Sequence, residues 1–225
     1  MIQQYKGYLG EFQYDDKEFQ LKNDCLQYIG TETDGSKIKI PKGITDCGYM
    51  FDGCNSLTEA PEIPAGVTNC NSMFYDCKSL VKAPEIPAGV TDCSYMFSGC
   101  SSLVEAPVIP KDVTNCASMF RYCSSLIKAP EIPAGVEDCR AMFFECSALV
   151  KVPEIPAEAT DCSSMFYGCS SLVEAPVIPK GVTNCGGMFY GAAGICGLQS
   201  ERETELHPQT PVCFGEKCIY MAEYL

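Results

Sequence analysis

Cysteine is the residue type best able to do chemistry in this chain, and 17 of the 225 residues are cysteine. Thiolates act as nucleophiles and metal ligands, and thiol pairs form disulfides. Their spacing decides among these roles. Cys47, Cys70, Cys93, Cys116, Cys139, Cys162 and Cys185 recur every 23 residues. A second row, Cys54, Cys77, Cys100, Cys123, Cys146 and Cys169, runs seven residues behind and fails at Ala192. There is no Cys-x-x-Cys, and the single histidine, His207, has no partner set, so no metal site is expected. Seven residues on a helix span about 10.5 Å along its axis. A disulfide needs Cα atoms within about 7 Å. The rows therefore read as reduced, buried, small apolar residues. Cys25, Cys196, Cys213 and Cys218 stand outside them, and a Cys213–Cys218 or Cys196-linked disulfide is left open.

Nothing else in the chain announces catalysis. The acids come in rows rather than as one singular pair, and neither a phosphate-binding glycine loop nor a nucleophile motif is present. His207 reads as a surface residue of a non-repetitive tail. The expectation is a non-enzyme with no cofactor and no metal.

The cysteine period is shared by the residues that must position any surface. Met50 to Met188 and Phe51 to Phe189 keep the 23-residue step in seven copies, and Leu57 to Leu172 form a further row ended by Ile195. A fixed period of this size marks a solenoid. Glu62, Glu85 and Val108 recur as Glu131, Glu154 and Val177, a 69-residue period that indicates duplication of a three-unit block.

Within one unit, Cys47, Met50, Phe51 and Cys54 at i, i+3, i+4 and i+7 predict a short helix of about two turns, capped by Thr45 or Asp46. Ser56–Ala60 is the strand candidate, three to five residues long, with its copies pairing in parallel and Pro61 ending the ladder or lying at its edge. Pro64-Ala65-Gly66-Val67 reads as a turn, and Asp112 and Glu158 in the glycine position argue against an obligatory positive φ. The expected fold is an α/β solenoid. It is a leucine-rich-repeat-like right-handed coil, with short parallel strands on one face and short helical turns on the other.

The string Leu57-x-x-Ala60-x-x-Ile63-Pro64-x-x-Val67-x-x-Cys70-x-x-Met73-Phe74-x-x-Cys77 resembles the BspA-like leucine-rich repeats of bacterial surface proteins. It is also similar to a related bacterial lipoprotein repeat with a Met-Phe-x-x-Cys core. The resemblance covers roughly residues 36–195 and departs from the family in Pro61 and an extra residue in the strand. It implies cell-surface interaction with partner proteins and a surface or secreted location.

Residues 1–36 are read as an N-terminal cap, 37–196 as the solenoid and 197–225 as a C-terminal cap. In the first cap, Glu11–Tyr14 and Glu18–Leu21 form an expected hairpin across Asp15–Lys17, with Leu26–Ile29 as a further strand.

Two surfaces are candidates for binding. The strand side carries the row Glu59, Lys82, Glu105, Lys128, Lys151 and Glu174, with mostly opposite charges across rungs. Beside it stand Glu62, Glu85, Glu131 and Glu154, which favour a basic partner. The alternative surface is Arg121, Phe144, Tyr167 and Tyr190, which directly follow the core phenylalanines and should face away from them, with Tyr122 nearby. Partners are expected to be a protein ligand or a second copy. A net charge of −13 disfavours nucleic acid and anionic membranes. No apolar stretch approaches the roughly 18 residues of a membrane span, and Met1–Lys6 has no apolar run like an export signal. The competing expectation is a structural spacer without a dedicated ligand.

Overall fold

A computed structural model describes residues 1–196, 211–214 and 217–220. The 23-residue units stack as rungs of a solenoid, and equivalent side chains form columns inside it. Phe51, Phe74, Phe97, Phe120, Phe143, Phe166 and Phe189 stack with centroids 5.3 to 5.7 Å apart and ring planes within 11° of parallel. The methionine and leucine rows and nearly all of the two cysteine rows are buried beside them.

The short helices expected on the far side of each rung do not form. Residues 47–54 instead make three overlapping β-turns, in which Met50, Asp52 and Cys54 donate their N–H to the carbonyls of Cys47, Tyr49 and Phe51 at 3.1–3.2 Å. The intervening N–H groups of Cys47, Tyr49, Phe51 and Gly53 donate to Asn69, Asn71, Met73 and Tyr75 of the next rung. Rung spacing explains the choice. Packed helices need axes about 8–10 Å apart, whereas adjacent rungs here are joined directly by backbone hydrogen bonds, with their stacked rings only 5.3 to 5.7 Å apart. Turns are flat enough to stack at that distance and still satisfy their backbone. They also send residues 0, 3 and 4 of the pattern inward, so the sequence signal of a helix and of this turn run is the same.

The turns have a conformational requirement. Tyr49 (φ 58°) and Gly53 (φ 71°) lie in the left-handed region, as do their equivalents along the solenoid. Asp76, Tyr122 and Glu145 take the second of these positions without being glycine, at roughly 1–2 kcal/mol each. At Gly99 a Cβ would lie 2.0 Å from an Asp76 carboxylate oxygen, so a side chain there requires the Asp76 side chain to move aside. At the Pro64 turn, Gly66 (φ 95°) and Gly89 (φ 91°) use a positive φ, whereas Asp112 and Glu158 do not.

The strands contract to single parallel bridges linking Asp34, Glu59, Lys82, Glu105, Lys128 and Lys151 in succession. From Glu59 onward, the proline two residues beyond each bridge residue has no N–H to extend the ladder. A second parallel ladder, unanticipated from the sequence, joins Asp46, Asn69, Asp92, Asn115, Asp138, Asp161 and Asn184. In every rung the Asx Oδ1 accepts the N–H two residues on, at 2.8–3.3 Å. The expected cap at Asp46 thus starts a turn rather than a helix.

Thirteen cysteines, Cys25 and those of both rows up to Cys169, are free thiols. Cys213 and Cys218 are register partners in the hairpin of β5 (Pro211–Phe214) and β6 (Lys217–Tyr220). Their side chains, and that of Cys196, lie outside the described ones. In the second cysteine row the thiols do more than fill space. Cys77, Cys100, Cys123, Cys146 and Cys169 each donate S–H to a phenylalanine carbonyl of the preceding rung at 3.0–3.2 Å. Cys123→Ser preserves a donor to Phe97 and should lose under about 1 kcal/mol, whereas Cys123→Ala should lose about 1–2 kcal/mol. Urea unfolding of the two variants checks the order, and a serine variant less stable than the alanine variant would reduce the thiol to an apolar filler.

At the N-terminus, β1 (Ile2–Gly7) pairs with β2 (Gly10–Asp15), and β3 (Phe19–Lys22) pairs with β4 (Cys25–Tyr28), both antiparallel. The two segments expected to pair across Asp15–Lys17 are strands, but each joins its other neighbour. Asn23 (φ 49°) and Asp24 (φ 61°) provide the two positive φ values of a tight hairpin turn, which Asp15-Asp16-Lys17 do not. These hairpins close the solenoid. The Tyr28 N–H donates to the Met50 carbonyl at 2.7 Å, and its ring lies 5.2 Å from Phe51, extending the aromatic column to Phe19. At the other end α1 (Ala193–Cys196) follows the last phenylalanine.

Candidate functional site

The strand side of the rungs places Glu59, Glu62, Lys82, Glu85, Glu105, Lys128, Glu131, Lys151, Glu154 and Glu174 on the exposed surface. The bridge register sets the first charge row one residue per rung, as read from the sequence. Its alternating charges seldom pair: only Lys82 and Glu59 approach within 4 Å, at 3.7 Å, among the described residues. Long exposed side chains gain about 0–1 kcal/mol from such contacts, so they fan into solvent. Lys128 and Lys151 stand side by side on adjacent rungs with no carboxylate within 4 Å among the described residues.

An apolar row lies beside the charges and was missed by the sequence reading. Val81, Val104, Ile127, Val150 and Val173 directly precede the charged residues and are 36–60% exposed. The signal was present in the repeated Leu-Val and Leu-Ile pairs, because successive residues of an extended segment face opposite ways. Val108 and Val177, where the 69-residue period replaces glutamate, are 85% and 70% exposed. Between this row and the glutamate row, half-buried Ala83, Ala106 and Val152 pack on the core, and Ala129 is part of it. Shallow depressions follow one another here from rung to rung, lined by residues 81–88, 104–112, 127–134 and 151–154. Together they make a groove along the solenoid axis with an apolar floor, an acidic glutamate wall and a mixed, lysine-containing wall. Such a surface excludes water from a partner's apolar side chains and orders its charges.

The turn side brings together the other candidates. Phe144 stacks on Tyr167 at 4.5 Å and Tyr167 on Tyr190 at 5.0 Å, while Tyr122 meets Phe144 edge-on at 5.5 Å. Arg121 caps the column with its guanidinium carbon 4.3 Å from the Phe144 ring centre. The rings cover one another's faces, leaving Arg121, Phe144 and Tyr167 half-buried and Tyr122 and Tyr190 exposed. Mainly ring edges reach solvent.

The cysteine rows offer no reactive site. Burial pushes the Cys70, Cys116 and Cys169 thiols up to about 12 and that of half-buried Cys54 to about 11. They stay protonated at neutral pH, and thiols rather than thiolates neither attack nor ligate. No group of three or more His, Cys, Asp or Glu among the described residues is placed to hold a metal ion. His207 lies outside the described residues. No helix among the described residues is long and apolar enough to cross a membrane.

The model of the BspA type leucine rich repeat region matches in six copies, over residues 27–150 and 93–196. No curated protein matches the sequence. Among solved structures, the chain is similar to a leucine rich repeat protein of T. pallidum, with 25% identity and a TM-score of 0.64 over 81% of this chain and 90% of that one. It is also similar in fold to a leucine rich cell surface protein of Faecalibacterium prausnitzii, with 23% identity and a TM-score of 0.58. That match covers 86% of this chain and 53% of the other, so the chain spans about half of it.

Proposed function

Since the chain belongs to the BspA-type leucine-rich repeat family, we propose that it is a non-catalytic scaffold that binds a protein partner along the strand-side groove. The observation that carries this reading is the continuous row of exposed Val81, Val104, Ile127 and Val150 beside a wall of Glu85, Glu131 and Glu154. Monomeric proteins seldom leave contiguous apolar surface exposed without a use for it. The glutamates select a partner with basic side chains flanking its apolar contact. The family's resemblance to repeats of bacterial surface proteins supports display at the cell surface, where such a partner belongs to another cell or to the surrounding matrix.

The test is a pair of variants assayed against a partner identified by cross-linking. Glu62, Glu85 and Glu131 to Lys should weaken binding at least tenfold, about 1.4 kcal/mol, and reverse its salt dependence. Ile127→Asp should weaken it at all salt concentrations. Both variants should melt as the wild type does, because the altered side chains are exposed. Unchanged binding in both would remove the groove as the site. A rigid spacer is the second reading, favoured by the near-identity of the rungs, and would tolerate both variants in every assay.

A further inference from the structure

Repeat proteins reveal special positions where one rung departs from the others. The two arginines of the solenoid, Arg121 and Arg140, are such departures, and both line one shallow depression on the turn side. Arg121 interrupts a row that otherwise reads Asp52, Tyr75, Ser98, Phe144, Tyr167 and Tyr190. Its guanidinium is held by the rings of Phe144 (4.3 Å) and Tyr122 (4.8 Å) and donates one hydrogen bond to the Tyr122 hydroxyl at 3.1 Å. No carboxylate lies within 4 Å of it among the described residues, in a chain of net charge −13. Arg140 differs. Its Nε and Nη2 are committed to Asp138 at 3.2 and 2.7 Å, which offsets its charge.

The depression therefore presents one uncompensated, pre-oriented guanidinium, the arrangement suited to a single external carboxylate. Its shape adds a second constraint. Ser118 and Ala141 form the floor, where the equivalent residue one rung earlier is Tyr95. The small residues leave room beside Tyr95, which is 40% exposed and makes no ring contact among the described residues. The neighbouring rings of Phe144 and Tyr167 stack on each other, so Tyr95 is the exposed ring of this lining that is free of ring stacking among the described residues.

We propose that this depression binds a carboxylate-bearing sugar of the uronic acid type, with its carboxylate on Arg121 and the apolar C–H face of its ring against Tyr95. An acidic peptide fits less well. It would bring several carboxylates to one uncompensated cation and would have no need of an aromatic platform. The site shares no residue with the strand-side groove and does not depend on that groove's function.

The experiment is a calorimetric or NMR titration of the full chain with a glucuronic-acid-terminated disaccharide, its glucose-terminated counterpart, and a hexaglutamate peptide. The acidic sugar should bind saturably, with the neutral sugar and the peptide each at least tenfold weaker. Arg121→Gln should abolish the preference for the acid, and Arg121→Lys should weaken binding because the planar fork is lost although the charge is kept. Tyr95→Ser should weaken both sugars alike. Melting temperatures of the three variants verify folding, and the chemical shifts of the strand-side valines should not move. The proposal is overturned if the acidic sugar shows no saturation up to about 10 mM. It also fails if the neutral sugar binds equally well, or if the peptide binds as tightly and ignores Tyr95→Ser.

Discussion

Phe97→Ala should destabilise the protein by about 3–5 kcal/mol. Phe97 is fully buried, stacked between Phe74 at 5.6 Å and Phe120 at 5.7 Å. Removing its ring abolishes two aromatic contacts, each contributing roughly 0.5–1.5 kcal/mol beyond area burial. The hole cannot close by drawing the rungs together. The N–H of Phe74 donates to Met96 and that of Phe97 to Met119, both at 2.9 Å, so the backbone ladder fixes the spacing on either side. Phe189 tests the same logic at the end of the column, where it stacks on Phe166 alone among the described rings. Phe189→Ala should therefore lose distinctly less. Urea midpoints measure both. Equal losses, or none at Phe97, would mean that the column is not the element that holds the rungs. Because each rung contacts only its neighbours, a gap in the middle also threatens cooperativity, and a second transition in the Phe97→Ala melt is expected.

The columns were legible because they depend only on period. Twenty-three residues per rung put Met73 over Met50 and Phe74 over Phe51 whatever the local backbone does. The local backbone was less legible. Cys47, Met50, Phe51 and Cys54 satisfy a helix template and a run of turns equally, and the deciding quantity, rung spacing, is set by other rungs rather than by the segment itself. The Asp/Asn ladder was within reach. Each rung carries Asp or Asn before its first cysteine, and those residues favour turns over helix interiors. The hairpin partners were misassigned because the charged Asp15-Asp16-Lys17 outweighed Asn23-Asp24, the better match to a two-residue turn. On the candidate surfaces, the exposed positions of the charge rows followed from repeat and alternation. The stacking of Arg121, Phe144, Tyr167 and Tyr190 required knowing that residues 23 apart stand about one ring spacing apart. The apolar row Val81 to Val173 was overlooked because its leucine neighbours drew the whole pair into the core.

Alkaline unfolding should be unusually steep. Ten buried cysteine thiols are pushed upward, nine chiefly by burial: Cys70, Cys116 and Cys169 to about 12, and Cys47, Cys77, Cys93, Cys100, Cys123 and Cys146 in the same direction, while Cys139 rises chiefly through a hydrogen bond with Cys162 and then through burial. In the unfolded chain these thiols ionise near pH 8.5–9. The sign follows from proton binding. Above pH 9 the native state holds protons that the unfolded state releases, so stability present in full below pH 8 declines as pH rises toward the native values. One pH unit above the unfolded value, each such thiol removes about 1.4 kcal/mol. Several such thiols together remove an amount comparable to the whole stability of a typical domain, about 5–15 kcal/mol. The protein should be folded at pH 8 and unfold without denaturant between about pH 9.5 and 10.5, under argon to exclude oxidation. Potentiometric titration at pH 10 should find several protons, approaching ten, released per chain on unfolding. Release of only one or two, or a urea midpoint unchanged from pH 8 to pH 10, would mean that the thiols are not held protonated inside the fold. Replacing Cys93, Cys116 and Cys123 with alanine gives a second reading. The triple variant starts less stable at pH 8, yet its slope with pH should be shallower by about three protons. That change isolates the thiols from the tyrosines and lysines that titrate in the same range.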